Sequence, residues 1–198
     1  MYDFIEGHLA ELTPVSATIQ TGGFGYLMHI SLNSYTSLQA MQEKNQKCKL
    51  YLHHVVREDA QQFYGFSDKQ ERALFRLLIS VSGVGAGTAR MILSSLSGAE
   101  LQKAIAEGNA GALKNVKGIG LKTAQRIIVD LKDKIGLAAT ADDHFLTASS
   151  SLKAEALSAL VNLGFTKASV EKVLDKIVAA KPSATVEELI KEALKTGI

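Results

Sequence analysis

Hydrophobic and polar positions change their rhythm along this chain. Over residues 1–66 the apolar positions fall in short, partly alternating runs: Phe4–Leu9, Val15–Ile19, Tyr26–Ile30 and Lys49–Val56. Such runs predict strands with one buried face. Ala60–Phe66 reads as a fifth strand, Thr21–Gly25 as a glycine turn and Asn33–Met41 as a short helix. From Ser67 the period becomes helical, with Leu74, Leu77, Leu78 and Val81 on one face. Ser67-Asp68-Lys69-Gln70 and Ser97-Gly98-Ala99-Glu100 read as capping boxes, and Asn109 as the cap of a short helix ending at Val116. A longer helix is predicted from Leu121 to about Ile135. Residues 137–151 are small, polar and unpatterned, which reads as a flexible linker. Three short helices follow, over about 152–162, 167–179 and 185–196, the last opened by a capping box at Thr185.

Five short strands and one intervening helix predict a small closed barrel of the OB type, so the fold class is multidomain, β then α. Its parts are a barrel over 1–66, a helical domain over 67–136, a linker over 137–151 and a three-helix domain over 152–198. The last resembles a ubiquitin-associated-type domain, and a domain so small reads as a docking module.

Two segments of the helical domain repeat one another. Val81-Ser82-Gly83-Val84-Gly85-Ala86-Gly87-Thr88-Ala89-Arg90 is echoed by Val116-Lys117-Gly118-Ile119-Gly120-Leu121-Lys122-Thr123-Ala124-Gln125, with Ile92 over Ile127 and Leu96 over Leu131. Each copy is Gly-apolar-Gly followed by a helix. Glycine lets the backbone approach a ligand, and the helix start offers free N–H groups and a positive dipole end. That combination suits an anion, and two copies suit two strands of one nucleic acid. Val84 and Ile119 are expected to plug inward. A lone Gly-x-Gly is most simply a helix connection capped by glycine. Shared Thr-Ala and a shared apolar register behind the turn argue instead for a true repeat. The doublet resembles the tandem helix-hairpin-helix module, which grips DNA through its phosphates without reading sequence.

Charge sharpens this picture. The chain as a whole is only +2, but residues 67–136 hold eleven basic and six acidic side chains, whereas residues 1–66 hold four and six. Positive charge therefore accompanies the glycine hairpins, as phosphate binding requires. The candidate DNA phosphate-binding residues are Gly83, Val84, Gly85, Arg90, Gly118, Ile119, Gly120, Lys122, Thr123 and Arg126, with Lys132 a further candidate. Cys48 is the sole cysteine, which excludes an intramolecular disulfide or a cysteine-rich zinc site and reads as a small buried hydrophobe on a strand. No apolar run is long enough to span a bilayer, and the N-terminus lacks the basic start of a secretory signal. A cytoplasmic location is expected.

Val55-Val56-Arg57-Glu58-Asp59-Ala60-Gln61-Gln62-Phe63-Tyr64-Gly65-Phe66 places two adjacent acids at a hairpin tip just before the phosphate-gripping block. By themselves they would be a solvated turn. In this setting the whole chain resembles the RuvA family, whose members bind Holliday junctions and load the RuvB branch-migration motor. The resemblance implies a homotetramer with a concave face, one or two tetramers holding an open, square-planar junction, and RuvC resolvase as a further partner. It makes Glu58 and Asp59 an acidic pin at the junction centre. It makes the last three helices the motor-docking domain, with Leu160, Leu163, Phe165, Leu189 and Leu194 as candidates; for Leu160 and Leu189 a role in the domain's own core is the competing reading. Family members often carry lysines where this chain has Gly87 and Leu121. The backbone glycines are therefore expected to matter more here than any single lysine.

No catalytic residue, metal ligand or cofactor is assigned. Gly120 and Lys122 do not have P-loop spacing, and His53 and His54, as strand neighbours, would point to opposite faces. Two rival readings are a helix-hairpin-helix DNA repair enzyme and an OB-fold single-strand binder. The first needs a nucleophile or metal-binding carboxylates next to the hairpins, but Asp130 and Asp133 are interleaved with Lys132 and Lys134 as on a solvated face. The second needs exposed aromatics on a basic barrel, and this barrel is net acidic.

Overall fold

The computed structural model describes residues 2–43, 46–139, 148–181 and 184–196. The chain divides into two compact units, Met1–Ala138 and Ala139–Ile198.

The first unit begins with β1 (Phe4–Thr13), β2 (Ser16–Thr21), β3 (Phe24–His29), β4 (Cys48–Val56) and β5 (Gln61–Phe66), with helix α1 (Leu32–Glu43) between β3 and β4. The strands close into a barrel in the order β1-β2-β3-β5-β4. Four pairings are antiparallel; β3 and β5 close the barrel in parallel through Met28 opposite Phe63 and His29 opposite Tyr64. β1 serves both β2 and β4, and its register shifts between Leu9 and Glu11, an irregularity of the kind that lets a strand bend. Gly7 is required at this crowded crossing, because a Cβ there would lie 2.3 Å from the Gln20 carbonyl oxygen. Ile5, Ala17, Ile19, Met28, Ile30, Leu38, Leu50 and Leu52 fill the interior. Cys48 is buried with them at the start of β4, its thiol 3.6 Å from the Gly7 carbonyl. His53 meets Phe75 on one face of β4 while His54 stacks on Phe63 on the other, as neighbours on a strand must.

Five helices follow in the same unit: α2 (Lys69–Ile79), α3 (Ala86–Ser95), α4 (Gly98–Ala106), α5 (Ala110–Lys114) and α6 (Leu121–Ala139). Their core is continuous with β5, since Tyr64 and Phe66 are buried in it beside Phe75. Ser97 forms the predicted capping box with Glu100, and the Asn109 side chain accepts from the Ala112 amide. The α2 cap lies one residue later than its sequence suggests. Asp68 is the extended residue whose carboxylate accepts from the Glu71 amide, because the Ser67 amide is already donated to Ser34 Oγ.

The second unit contains α7 (Ala148–Asn162), α8 (Lys167–Ala180) and α9 (Val186–Lys195), the last opened by the predicted Thr185–Glu188 capping box. Ala156, Leu160, Val170, Leu174, Ala184, Leu189 and Ala193 form its core. The segment expected as a linker, 137–151, is helical at both ends: α6 reaches Ala139 and α7 starts at Ala148. Alanine and serine continue a helix at little cost, and small polar composition alone does not end one. Residues 140–147, the rest of that segment, lie outside the described residues.

Candidate nucleic-acid interface

The two glycine hairpins are built alike, bond for bond. The Val84 amide donates to the Val81 carbonyl at 3.0 Å, and the Ile119 amide to the Val116 carbonyl at 3.1 Å. Gly83 has φ +90° and Gly118 φ +89°, a left-handed conformation that side-chain-bearing residues adopt only under strain. The first helical bond behind each turn, Ala89 amide to Gly85 carbonyl and Ala124 amide to Gly120 carbonyl, is 2.9 Å in both copies. Val84 and Ile119 plug into the shared core, as expected.

What this geometry leaves outside is a pair of open backbone surfaces. A Cβ built on Gly83, Gly85, Gly118 or Gly120 would meet no heavy atom within 4 Å, and all four residues are exposed. Gly85 caps α3 with no side-chain acceptor, so the first amides of that helix stay available to an external anion. α6 begins from the same construction at Gly120.

Cationic side chains are arranged less evenly. Lys122 is exposed at the start of α6 and Thr123 is half-buried beside it. Arg126 Nε lies 3.8 Å from Asp130, one helical turn on, so its charge is shared with a carboxylate. Lys117 is exposed next to Gly118 and joins the set; its place within the repeated turn, opposite Ser82, is the sequence signal for it. Arg90 remains a candidate whose guanidinium is partly engaged elsewhere. Its Nη1 donates to the Val15 carbonyl of the barrel at 2.9 Å, a tertiary contact that nothing in the local pattern announces.

Glu58 and Asp59 stand exposed at the tip joining β4 to β5, and the Arg57 amide closes the turn on the Ala60 carbonyl at 2.8 Å. One compact unit thus carries the acidic tip and both open-backbone hairpins. Among the described residues no group of three or more His, Cys, Asp or Glu side chains is placed to hold a metal ion. No described helix is long and apolar enough to cross a membrane.

Comparison with known proteins follows the same divisions. Residues 1–65 match the RuvA N terminal domain, residues 75–133 a SAM-like helix-hairpin-helix tandem, and residues 151–196 the RuvA C-terminal domain. The chain is 52% identical to the Holliday junction branch migration complex subunit RuvA of Bacteroides thetaiotaomicron, over 98% of this chain and 99% of that protein. The proteins of that name from Bacteroides fragilis and Porphyromonas gingivalis are 51% and 43% identical over the same shares. The chain belongs to the RuvA family.

Within the RuvA C-terminal domain, the candidate docking residues separate into two groups. Leu163 and Leu194 are 63% and 45% exposed. Phe165 is half-buried against the core, in the turn that Gly164 makes at φ +100°. Leu160 and Leu189 are fully enclosed, so they belong to the domain's own core and present no surface for docking. Both lie on the inward face of their helices, which is also what makes them prominent in the sequence. Val161, exposed at the end of α7, is a further apolar surface residue.

Proposed function

We propose that this chain binds four-way Holliday junction DNA by structure rather than by sequence, and recruits and stimulates a RuvB motor for branch migration in recombination and repair. The observation that carries this reading is the duplicated hairpin, with matching turns and open backbone at both copies, in a chain of the RuvA family. Backbone amides contact phosphates without regard to base identity, so the grip fits any DNA arm of suitable shape. Two hairpins per chain suit the two strands of one arm, and a homotetramer would serve four arms. Carboxylates of Glu58 and Asp59 would repel phosphates at the centre, disfavouring uninterrupted duplex and helping to part base pairs as arms are drawn through. The exposed Leu163 and Leu194, with Phe165, supply an apolar surface for the motor, which would provide the ATP-driven work.

Titration of four-way junction, duplex and single-stranded DNA side by side tests the reading, with the mass of the junction complex measured in parallel. Preference for the junction, and a mass corresponding to one or two tetramers, is expected. Equal affinity for duplex and junction would refute it.

A further inference from the structure

The first turn of α2 carries two adjacent charged side chains, Glu71 and Arg72, that are both buried, only 6% and 8% exposed. They reach in different directions. Glu71 accepts hydrogen bonds from the hydroxyls of Ser31 and Ser34, at the start of α1, the second at 2.5 Å. Ser34 Oγ in turn accepts from the Ser67 amide just ahead of α2. Arg72 donates to the Asp3 carbonyl at 2.7 Å and to its carboxylate at 2.6 Å, and reaches the Leu52 carbonyl of β4 at 3.4 Å. Arg76, one turn further on, reaches the same carbonyl at 3.5 Å.

The start of α1 also grips α3, the helix behind the first glycine hairpin. Asn33 Nδ2 donates to the Leu93 carbonyl at 2.7 Å, and the Leu32 amide to Ser94 Oγ at 3.1 Å. One polar network therefore ties β4, the strand that ends in the acidic tip, and α3, the helix that begins at Gly85, to a common frame. The apolar core shared by β5 and the helices supplies cohesion but little direction. Hydrogen bonds to buried charges are directional and fail when the partners tilt.

We infer that Glu71, Arg72 and Asn33 are positioning residues that hold the Glu58–Asp59 tip at a fixed bearing to the phosphate-gripping hairpins, and that discrimination between junction and duplex depends on them. The inference rests on the proposed function for its DNA consequence. A rigid tip must meet the phosphates of a continuous duplex and repel them. A loosened tip can swing aside, so duplex is no longer penalised.

The test uses two variants of the full chain. Glu71→Met with Ser31→Ala removes the carboxylate and one of its two serine donors, while the Ser34 hydroxyl still accepts from the Ser67 amide. Asn33→Ala, at an exposed position, serves if the first variant does not fold. The junction-over-duplex affinity ratio is expected to fall about three- to tenfold, the equivalent of one net hydrogen bond, with duplex affinity held or raised. In the free protein, spin labels at Arg57→Cys and Lys117→Cys, diluted with unlabelled chain, should show a broadened distance distribution; the native Cys48 is buried away from the label. An unchanged ratio in a folded variant, junction and duplex affinities falling by the same factor, or an unchanged distance distribution would each overturn the inference. A parent protein with no junction preference would overturn the proposed function instead, while the distance measurement would still decide the positioning role.

Discussion

Gly118 and Gly120 stand two residues apart in one turn, yet replacing each by alanine should produce different defects. Gly118 sits at φ +89°, where an L side chain costs about 1–2 kcal/mol. No atom lies within 4 Å of the added methyl, so that backbone strain is the whole penalty. Spread over the Met1–Ala138 unit, it corresponds to a fall in Tm on the order of 5 °C. Gly120 is not in the left-handed region and its Cβ also enters open space. There the weaker cap provided by alanine is offset by the reduced freedom of the unfolded chain, leaving stability within about 0.5 kcal/mol of the parent. The open space above Gly120 is where a phosphate would approach the amides. Displacing one amide–phosphate hydrogen bond costs about 1.5–3 kcal/mol, or roughly a ten- to hundredfold loss of affinity. Fluorescence anisotropy of a labelled four-way junction at fixed salt, with thermal unfolding of the same samples, separates the two effects. Gly120→Ala should lose binding at unchanged Tm, and Gly118→Ala should lose Tm. A folded Gly120→Ala protein that binds the junction like its parent would refute the assignment of the hairpin as the contact surface.

Neutralising the tip with Glu58→Gln and Asp59→Asn should raise duplex affinity relative to junction while junction affinity holds or tightens; an equal loss on both substrates, read by competition binding, would reduce these residues to barrel support. Leu163→Ser with Leu194→Ser should leave the C-terminal unit folded and abolish stimulation of RuvB-driven migration, whereas Leu160→Ala should lower Tm by removing a core side chain at a cost of about 2–5 kcal/mol. Migration at the full rate by the double serine variant would rule out that surface as the docking site. Burial raises the pKa of Glu71 above the usual carboxylate range, with the Ser31 and Ser34 hydroxyls opposing the shift and the nearby Asp68 charge adding to it. A raised folded-state pKa means the folded protein holds the proton more tightly than the unfolded chain. The associated stability is full below the unfolded value of 4.5 and is lost as pH rises through the folded value. As pH falls from 7 towards 4.5 the parent should therefore gain stability relative to Glu71→Gln, as seen in urea midpoints; identical pH slopes would contradict this.

What the sequence alone determined was local. The duplicated Gly-apolar-Gly turns, the inward Val84 and Ile119, the Ser97, Asn109 and Thr185 caps and the opposed faces of His53 and His54 follow from interactions within a few residues. Periodicity and hydrogen bonding over a single turn suffice to write them. Tertiary structure decided the rest, because each remaining feature joins residues far apart in the chain. The parallel closure of β3 on β5 depends on where α1 returns the chain. Arg90, a phosphate-contact candidate beside its hairpin, also donates to a barrel carbonyl seventy-five positions away. Glu71 and Arg72 are buried polar partners only because α1 and β4 pack over them. Leu160 and Leu163 are chemically identical neighbours on one segment, and only the packing of the three helices makes one a core residue and leaves the other in water. A side chain's type fixes what it can bind; which partner reaches it is settled by elements that arrive from elsewhere in the fold.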